Sequence, residues 1–466
     1  MGTSLHVEDS LGKAAGSFKA ILIAVFAVAL VFLNSGAWAD DNLDAEAGDK
    51  AGERSEPARD KKPVGVGEVE ELKARVDALE KRLADMEVVD GLGHRLHPIH
   101  SIYGLKISGG LTVTAQKADN LKEAGDRGAT AVSADIVMES PVGRDGRVVA
   151  VFDFQRGAGL KNLPPFFTSP NGNPTGPNND IESFNNDSVH VAQFYYERAI
   201  TPGLVASVGQ LDPTAYFDIN GFANSERTQF LANGFVNNPA VEFGGSDNFY
   251  GPGFRLTYGA AGFLDITLGA FEGNGDYNDP FDSPFLMAEA DFKLKPMGRD
   301  GNYRIYYWDR QGRQDLAYTA NPNDAGLLKA ENKGVGVSID QKITDSFGVW
   351  LRAGVQREKV AWFNRYVGGG VNLAGVLPGR DEDAVGFGYG ASLMGKDYKD
   401  YKTVADAGFE AGVEHYFELY YNISVDKGPH DRGLHISPDI QYVVNPGGDR
   451  RAENLFIYGL RLQASF

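Results

Sequence analysis

Residues 409–425 read FEAGVEHYFELYYNISV. Taken alternately, they sort onto two faces. Phe409, Ala411, Val413, Phe417, Leu419, Tyr421, Ile423 and Val425 share one face, with His415 as the interruption. Glu410, Gly412, Glu414, Tyr416, Glu418, Tyr420, Asn422 and Ser424 share the other. A period of two belongs to an extended strand, whose successive side chains point to opposite sides. A strand this long, apolar on one face and acidic on the other, has two homes. A soluble sandwich would bury the apolar face against a second sheet. A transmembrane barrel would turn it to lipid and the acids to an aqueous lumen.

Connection lengths decide between them. Sixteen alternating segments begin near residues 105, 131, 146, 189, 203, 253, 262, 285, 301, 335, 346, 363, 384, 409, 434 and 455. Short links (Pro141–Gly146, Thr201–Gly203, Gly259–Gly262, Pro296–Gly301, Thr344–Ser346) alternate with long ones (117–130, 157–188, 212–252, 272–284, 311–333, 395–408). Short turns at one rim and long loops at the other suit a membrane barrel with an even strand number, and a sandwich has no reason for such parity. The link at 358–362 departs from the pattern, being short where a long one is due. The last segment alternates Phe456, Tyr458, Leu460, Leu462, Ala464 and Phe466 with polar or small partners and stops on an aromatic residue. Such an ending resembles the signal read by outer-membrane barrel-assembly machinery. The expected fold is all-β: a sixteen-stranded antiparallel transmembrane β-barrel over residues 102–466 with an N-terminal coiled-coil helix.

Upstream, Ala20–Leu33 is an apolar run of about 14 residues, short for a spanning helix. Lys13 and Lys19 precede it and Ala37-Trp38-Ala39 follows, so residues 1–39 read as a secretory signal peptide. Residues 40–65 are acidic, polar and poor in aromatics, the composition of a disordered tether. Within 66–90, Val69, Leu72, Val76, Leu79, Leu83 and Met86 alternate spacings of three and four, an a/d seam. Arg75 and Arg82 at g would meet Glu80 and Glu87 at e of a parallel partner. A homo-oligomer follows, and a resemblance to outer-membrane barrels that carry an N-terminal periplasmic helix favours a trimer.

Composition narrows function. The 466 residues carry a net charge of −18, which disfavours nucleic acid as a partner. The chain has no Cys, so thiolate metal sites, disulfides and cysteine nucleophiles are excluded. A mean hydropathy of −0.29 excludes a polytopic helical membrane protein but not a barrel, whose strands average two faces. Glu410, Glu414 and Glu418 lie on one face of one strand and do not flank a cleft as a glycosidase pair must. There is no G-x-S-x-G elbow. His94, His97 and His100 are interrupted by Pro98, with no carboxylate beside them. No enzyme activity, metal or cofactor is expected.

Five stretches resemble the carbohydrate-selective porin family, often called OprB-like. They are GQLDPTAYFDINGFANSERTQFL (209–231), GNYRIYYWDR (301–310), GVGVSIDQKITDSFGVWLRAG (334–354), GGGVNLAGVLPGRDEDAVGFG (368–388) and the segment 417–449, which ends on SPDIQYVVNPGGD. The resemblance covers about 102–466. It implies a multi-pass channel in the outer membrane of a Gram-negative bacterium, in contact with outer-membrane lipid, that admits carbohydrates to the periplasm, where the N-terminal helix would sit. The residues leave two alternatives open: a general, cation-preferring diffusion porin, and a structural barrel tethered to the cell wall through the coiled coil.

Alternation names the lumen candidates. Arg304, Tyr306, Trp308 and Arg310 point inward from one strand, and Trp350, Arg352 and Gln356 from another. Glu410, Glu414, Glu418, Asp439, Gln441 and Arg461 do so near the C-terminus. Sugars need aromatic platforms and paired donors and acceptors, so these are the candidate substrate-binding residues. Arg304, Arg352 and Arg461 are expected to stand opposite the acids, and Arg304 and Arg352 to hold a carboxylate on one edge and a sugar hydroxyl on the other. The longest loop, 212–252, follows the fifth strand, where general porins fold a constriction loop into the barrel. Asp218, Glu226 and Arg227 are its candidate pore-facing charges, and Asn224 is expected to cap a helical turn through Phe230.

Overall fold

The computed structural model of the chain describes residues 101–102, 104–119, 128–157, 160, 187–243, 250–273, 277, 283–316, 329–427 and 433–466. The signal peptide, tether, heptad segment and His94–His100 expected from the sequence lie outside these residues.

Sixteen long strands form the structure: β1 (Leu105–Asp119), β2 (Gly128–Val142), β3 (Gly146–Arg156), β4 (Asp187–Thr201), β5 (Leu204–Leu211), β6 (Gly251–Ala261), β7 (Leu264–Glu272), β8 (Pro284–Leu294), β9 (Gly301–Leu316), β10 (Lys329–Lys342), β11 (Phe347–Gln356), β12 (Arg365–Ala374), β13 (Ala384–Leu393), β14 (Val413–Lys427), β15 (Gly433–Val444) and β16 (Leu455–Ser465). Each pairs antiparallel with its neighbours in sequence, and β16 returns to β1 with Arg461 opposite Thr114. Closure leaves no free edge, the condition for satisfying every backbone group in lipid. A two-residue strand, Ser101–Ile102, folds back on the start of β1. The terminal Phe466 exchanges two backbone hydrogen bonds with Gly109 (2.9 and 3.0 Å), so the chain is paired to its last residue.

Turns and loops segregate as expected. One rim carries links 143–145, 202–203, 262–263, 295–300, 343–346, 375–383 and 428–432, together with both ends of the barrel chain. The other carries 120–127, 157–186, 212–250, 273–283, 317–328, 357–364, 394–412 and 445–454. The link at 357–364 falls on the long-loop rim after all, so the anomaly is one of length and not of strand count. Two short helices lie in long loops: α1 (Asn233–Val236) and α2 (Lys396–Ala405).

The two faces of β14 sort as read. Glu414, Tyr416, Glu418, Tyr420, Asn422 and Ser424 are buried inward, while Leu419 and Val425 are exposed outward. Leu111, Val335, Leu351, Val367, Phe387, Leu460 and Leu462 extend the exposed apolar exterior around the wall, the belt that meets lipid. One boundary needs correction. Glu410, with Phe409 and Ala411, was expected on this strand, but β14 starts at Val413. Ala411 makes an isolated bridge to Asp449, and the amide of Glu410 donates to Asp449 Oδ1 at 3.3 Å. Gly408 and Gly412 bracket this piece, where both backbone neighbours come from the 445–454 loop and not from a ladder. Glu410 is therefore an exposed rim residue and not a lumen residue.

Candidate functional site

The loop after β5 folds into the lumen. At its entry the Asp212 carboxylate caps a turn at Pro213–Ala215, accepting from the Thr214 amide (2.8 Å) and hydroxyl (2.7 Å). Phe217 then packs edge-on against Phe271 with ring centres 6.0 Å apart. Asp218 follows, fully buried, and meets Arg352 Nε at 2.9 Å across its carboxylate. The Tyr306 hydroxyl (2.7 Å) and the Asn238 amide (2.6 Å) complete that carboxylate, and the Asp218 amide donates to Glu289 (2.9 Å). Burial pushes the Asp218 carboxyl above its ordinary range, and the Arg352 charge, the Tyr306 hydroxyl and the Asn238 amide pull against that push.

Arg352 does more than pair. Its terminal nitrogens donate to the carbonyls of Ala223 (2.6 Å), Phe235 and Asp218 (2.7 Å) and to Asn224 Oδ1 (3.2 Å). One side chain from β11 thus gathers four points of the loop. Glu418 on β14 accepts the amides of Leu231 (2.5 Å) and Ala232 (2.9 Å). Arg461 on β16 donates to the carbonyls of Glu226 (2.5 Å) and Gln229 (2.9 Å). Arg227 pairs with Asp135 on β2 and reaches the Gly110 carbonyl on β1. Tyr366 on β12 donates to the Gly234 carbonyl at 2.6 Å. The expected turn forms, with Gln229 N bonded to Ser225 O at 2.8 Å, but its cap is Ser225, whose Oγ accepts the Thr228 amide. Asn224 is diverted to Arg352.

Aromatic residues fill the space between loop and wall. Phe230 and Phe235 of the loop each stand 5.4 Å from Trp350, and Phe230 lies 4.9 Å from Tyr420. Trp308 packs on Phe285 at 6.2 Å. The wall makes room with glycine: a Cβ on Gly388 would stand 3.0 Å from both Phe230 and Phe235.

The sequence-derived candidates divide. Arg352, Glu418, Arg461, Tyr306, Trp308 and Trp350 all point inward, yet each is buried against the loop or neighbouring wall. The Arg352 donors expected to be shared between a carboxylate and a sugar are spent on Asp218 and loop carbonyls, and those of Arg461 also go to loop backbone. Asp218 and Arg227 likewise face protein groups, and Glu226 is half-buried. Arg304 meets Asp340 (2.7 Å) and Asp291 (3.4 Å) on neighbouring strands, so its acids are adjacent and not across the lumen. Gln441 donates to Asp439 (2.9 Å) and accepts from Tyr416 (2.5 Å). Glu414 accepts the Gly447 amide at 2.8 Å, near the long-loop rim.

A polar ladder was missed. Lys106 (β1), Glu139 (β2), Arg147 (β3), Glu197 (β4) and Arg255 (β6) alternate in sign along the inner wall, with Ser207 bridging on β5. Lys106 lies 3.7 Å from Glu139, and Arg147 meets Glu139 at 2.9 Å and Glu197 at 2.6 Å. Arg255 meets Glu197 at 2.5 Å and Ser207 at 2.9 Å. The charged groups lie toward the short-turn rim and keep contact with water, while Ser207 is buried. Each residue stands on the inward parity of its strand, so alternation alone could have found them.

The model of the carbohydrate-selective porin, OprB family, matches residues 126–466. This chain belongs to that family. The barrel of Pseudomonas putida OprB, determined at high pH, superposes with a TM-score of 0.64 at 17% identity, over 78% of this chain and 94% of that one. An uncharacterized protein of Aquifex aeolicus (strain VF5) is 27% identical over 220 residues, 47% of this chain. The chain spans 56% of that relative's length. Family and barrel together make this an outer-membrane β-barrel of the OprB kind.

Proposed function

We propose that this OprB-family barrel lets small sugars, mono- or small oligosaccharides, diffuse across the outer membrane into the periplasm. The observation that carries the reading is the loop segment 212–243, bound by buried charged groups of β2, β11, β14 and β16 inside the barrel. A loop held this way narrows the lumen without sealing it by chance motion, and it leaves the ladder of Lys106, Glu139, Arg147, Glu197 and Arg255 as a hydrogen-bonding wall. Paired donors and acceptors at fixed spacing suit polyols, which are neutral and exchange water for such partners at small net cost. Because the aromatic side chains of the lumen are engaged in packing the loop, the polar wall and not a stacking track is the surface offered to the sugar.

The proposal extends to the ends of the chain. Residues 1–39 export it, Phe466 presents the barrel to the assembly machinery, and the 66–90 heptads join copies on the periplasmic side. The test is conductance in a planar bilayer. A sugar channel gives stable steps that small sugars block in a concentration-dependent way. Steps without block would leave a general porin, and no steps would leave a structural barrel.

A further inference from the structure

We infer that Arg255, set by Glu197, is the positioning residue for the entry arm of the constriction loop, acting through the ring of Tyr216. This deepens the channel reading above and rests on it only for its consequence for sugars.

The geometry is specific. The Arg255 guanidinium lies over the Tyr216 ring, 4.2 Å from its centre. Tyr195 meets the same ring edge-on at 6.3 Å, and the Tyr216 hydroxyl donates to Gln193 at 3.1 Å. On its other side Arg255 is oriented by Glu197 and Ser207, and Ser207 also donates to Glu197 at 2.9 Å. Glu197 is in turn held by Arg147, so the ladder of β1–β6 ends on a loop aromatic.

This attachment differs in kind from the others. Asp218 and Arg352 are wholly buried, as are Glu418 and Arg461. The side chains of Arg255 and Glu197 each keep 13% exposure, and those of Arg147 and Glu139 keep 21%. A pair that keeps some contact with water is weakened more by salt and by competing hydrogen bonds than a wholly buried one. The arm 212–216 is therefore the more adjustable edge of the loop, and 218–238 is held by wholly buried groups. A guanidinium can hold that edge because its plane stacks on the ring while its rim keeps the carboxylate, which an ammonium cannot do.

The absence of Cys allows a direct test. A single cysteine at Thr214, half-buried in the arm, reports its opening by its rate with a small water-soluble thiol reagent. A second reporter at Phe222, whose ring covers Gly348, reports the fixed part. Relative to Thr214→Cys alone, adding Arg255→Ala, Arg255→Lys or Tyr216→Leu should raise the rate about three- to thirtyfold, the span of a partly exposed cation–π contact. Tyr216→Phe should change it least. Adding Arg255→Ala to Tyr216→Leu should give no further increase over Tyr216→Leu alone, because the contact it removes is already gone. Glu197→Gln should give a smaller rise. The Phe222→Cys rate should stay constant throughout. Unchanged Thr214→Cys rates, additive increments, or a lysine that substitutes fully for Arg255 would overturn the inference. Should one Arg255 variant fail to fold, Tyr216→Leu and Glu197→Gln carry the same comparison. Sugar block recorded on the same proteins separates the two readings. A wild-type channel without block leaves a general porin and refutes the sugar-selective reading, while the thiol rates still decide the role of Arg255.

Discussion

Asp218 combines two unfavourable features. Its φ of 61° lies in the left-handed region, which side-chain-bearing residues adopt rarely and Asp more readily than most, and its carboxylate is removed from water. Both are tolerated because Arg352, Tyr306 and Asn238 surround it. Removing one partner of a fully buried pair leaves an uncompensated charge and costs about 3–5 kcal/mol. That cost falls on the loop, since the strand ladders do not depend on it. Arg352→Ala should therefore keep a heat-modifiable barrel, raise open-channel conductance and weaken sugar block by tenfold or more, all measurable in planar bilayers. Asp218→Asn keeps the backbone conformation and an acceptor for Tyr306, and should show the same effects in milder form. An Arg352→Ala channel with unaltered conductance would mean that the aromatic packing holds the loop by itself.

Among the elements, β13 and β14 act as a pair. Gly386 and Gly388 leave a shallow strip on the inner wall: a Cβ at Gly386 would come within 2.2 Å of the Tyr420 ring. Glu418 stands beside that strip to receive two loop amides. Glu418→Gln retains an acceptor oxygen but turns an NH2 toward a second donor, and should loosen the 231–236 segment by about 1–3 kcal/mol. Gly388→Leu should displace Phe230 and Phe235 and loosen the same segment sterically. Faster proteolysis within 230–236 in both variants, with the barrel intact on a gel, checks this. The strands were legible in the sequence because lipid and lumen impose opposite polarities on alternate residues, and sixteen such segments survive any local ambiguity. The roles of inward residues were less so. Alternation says that Arg352 and Glu418 point inward, but not that a loop more than a hundred residues earlier in the chain would occupy them. The five wall glycines at 368, 370, 386, 388 and 390 were the available hint, since glycine on the inward parity of neighbouring strands leaves room for something bulky. Glu410 was misplaced because alternation continues through Gly412 without regard to where the backbone finds its partners.

For the whole molecule, the heptad and the topology are open to test. Leu72→Asp with Leu79→Asp places charge on the a/d seam and removes about 1.5–3 kcal/mol of apolar burial per leucine per chain. Oligomers should dissociate in native gels or light scattering while the barrel persists, whereas an unchanged oligomer would make the segment a spacer. The topology rests on parity. Sixteen strands bring Leu105 and Phe466 to one rim, the rim of short turns, and place the long loops at the other. Short turns belong on the periplasmic side of an outer-membrane barrel and long loops outside. Two exposed positions read the two rims: Lys399 on α2 in the long 394–412 loop, and Met297, 77% exposed at the tip of the 295–300 turn. In a chain without native cysteine, Lys399→Cys should react on intact cells with a membrane-impermeant maleimide. Met297→Cys should react only after the outer membrane is opened. A cysteine within 157–188 should behave as Lys399→Cys does. Labelling of Met297→Cys on intact cells with protection of Lys399→Cys would invert the barrel, moving the ladder of Arg147, Glu197 and Arg255 from the periplasmic half of the channel to its outer mouth and making it the first surface a sugar meets.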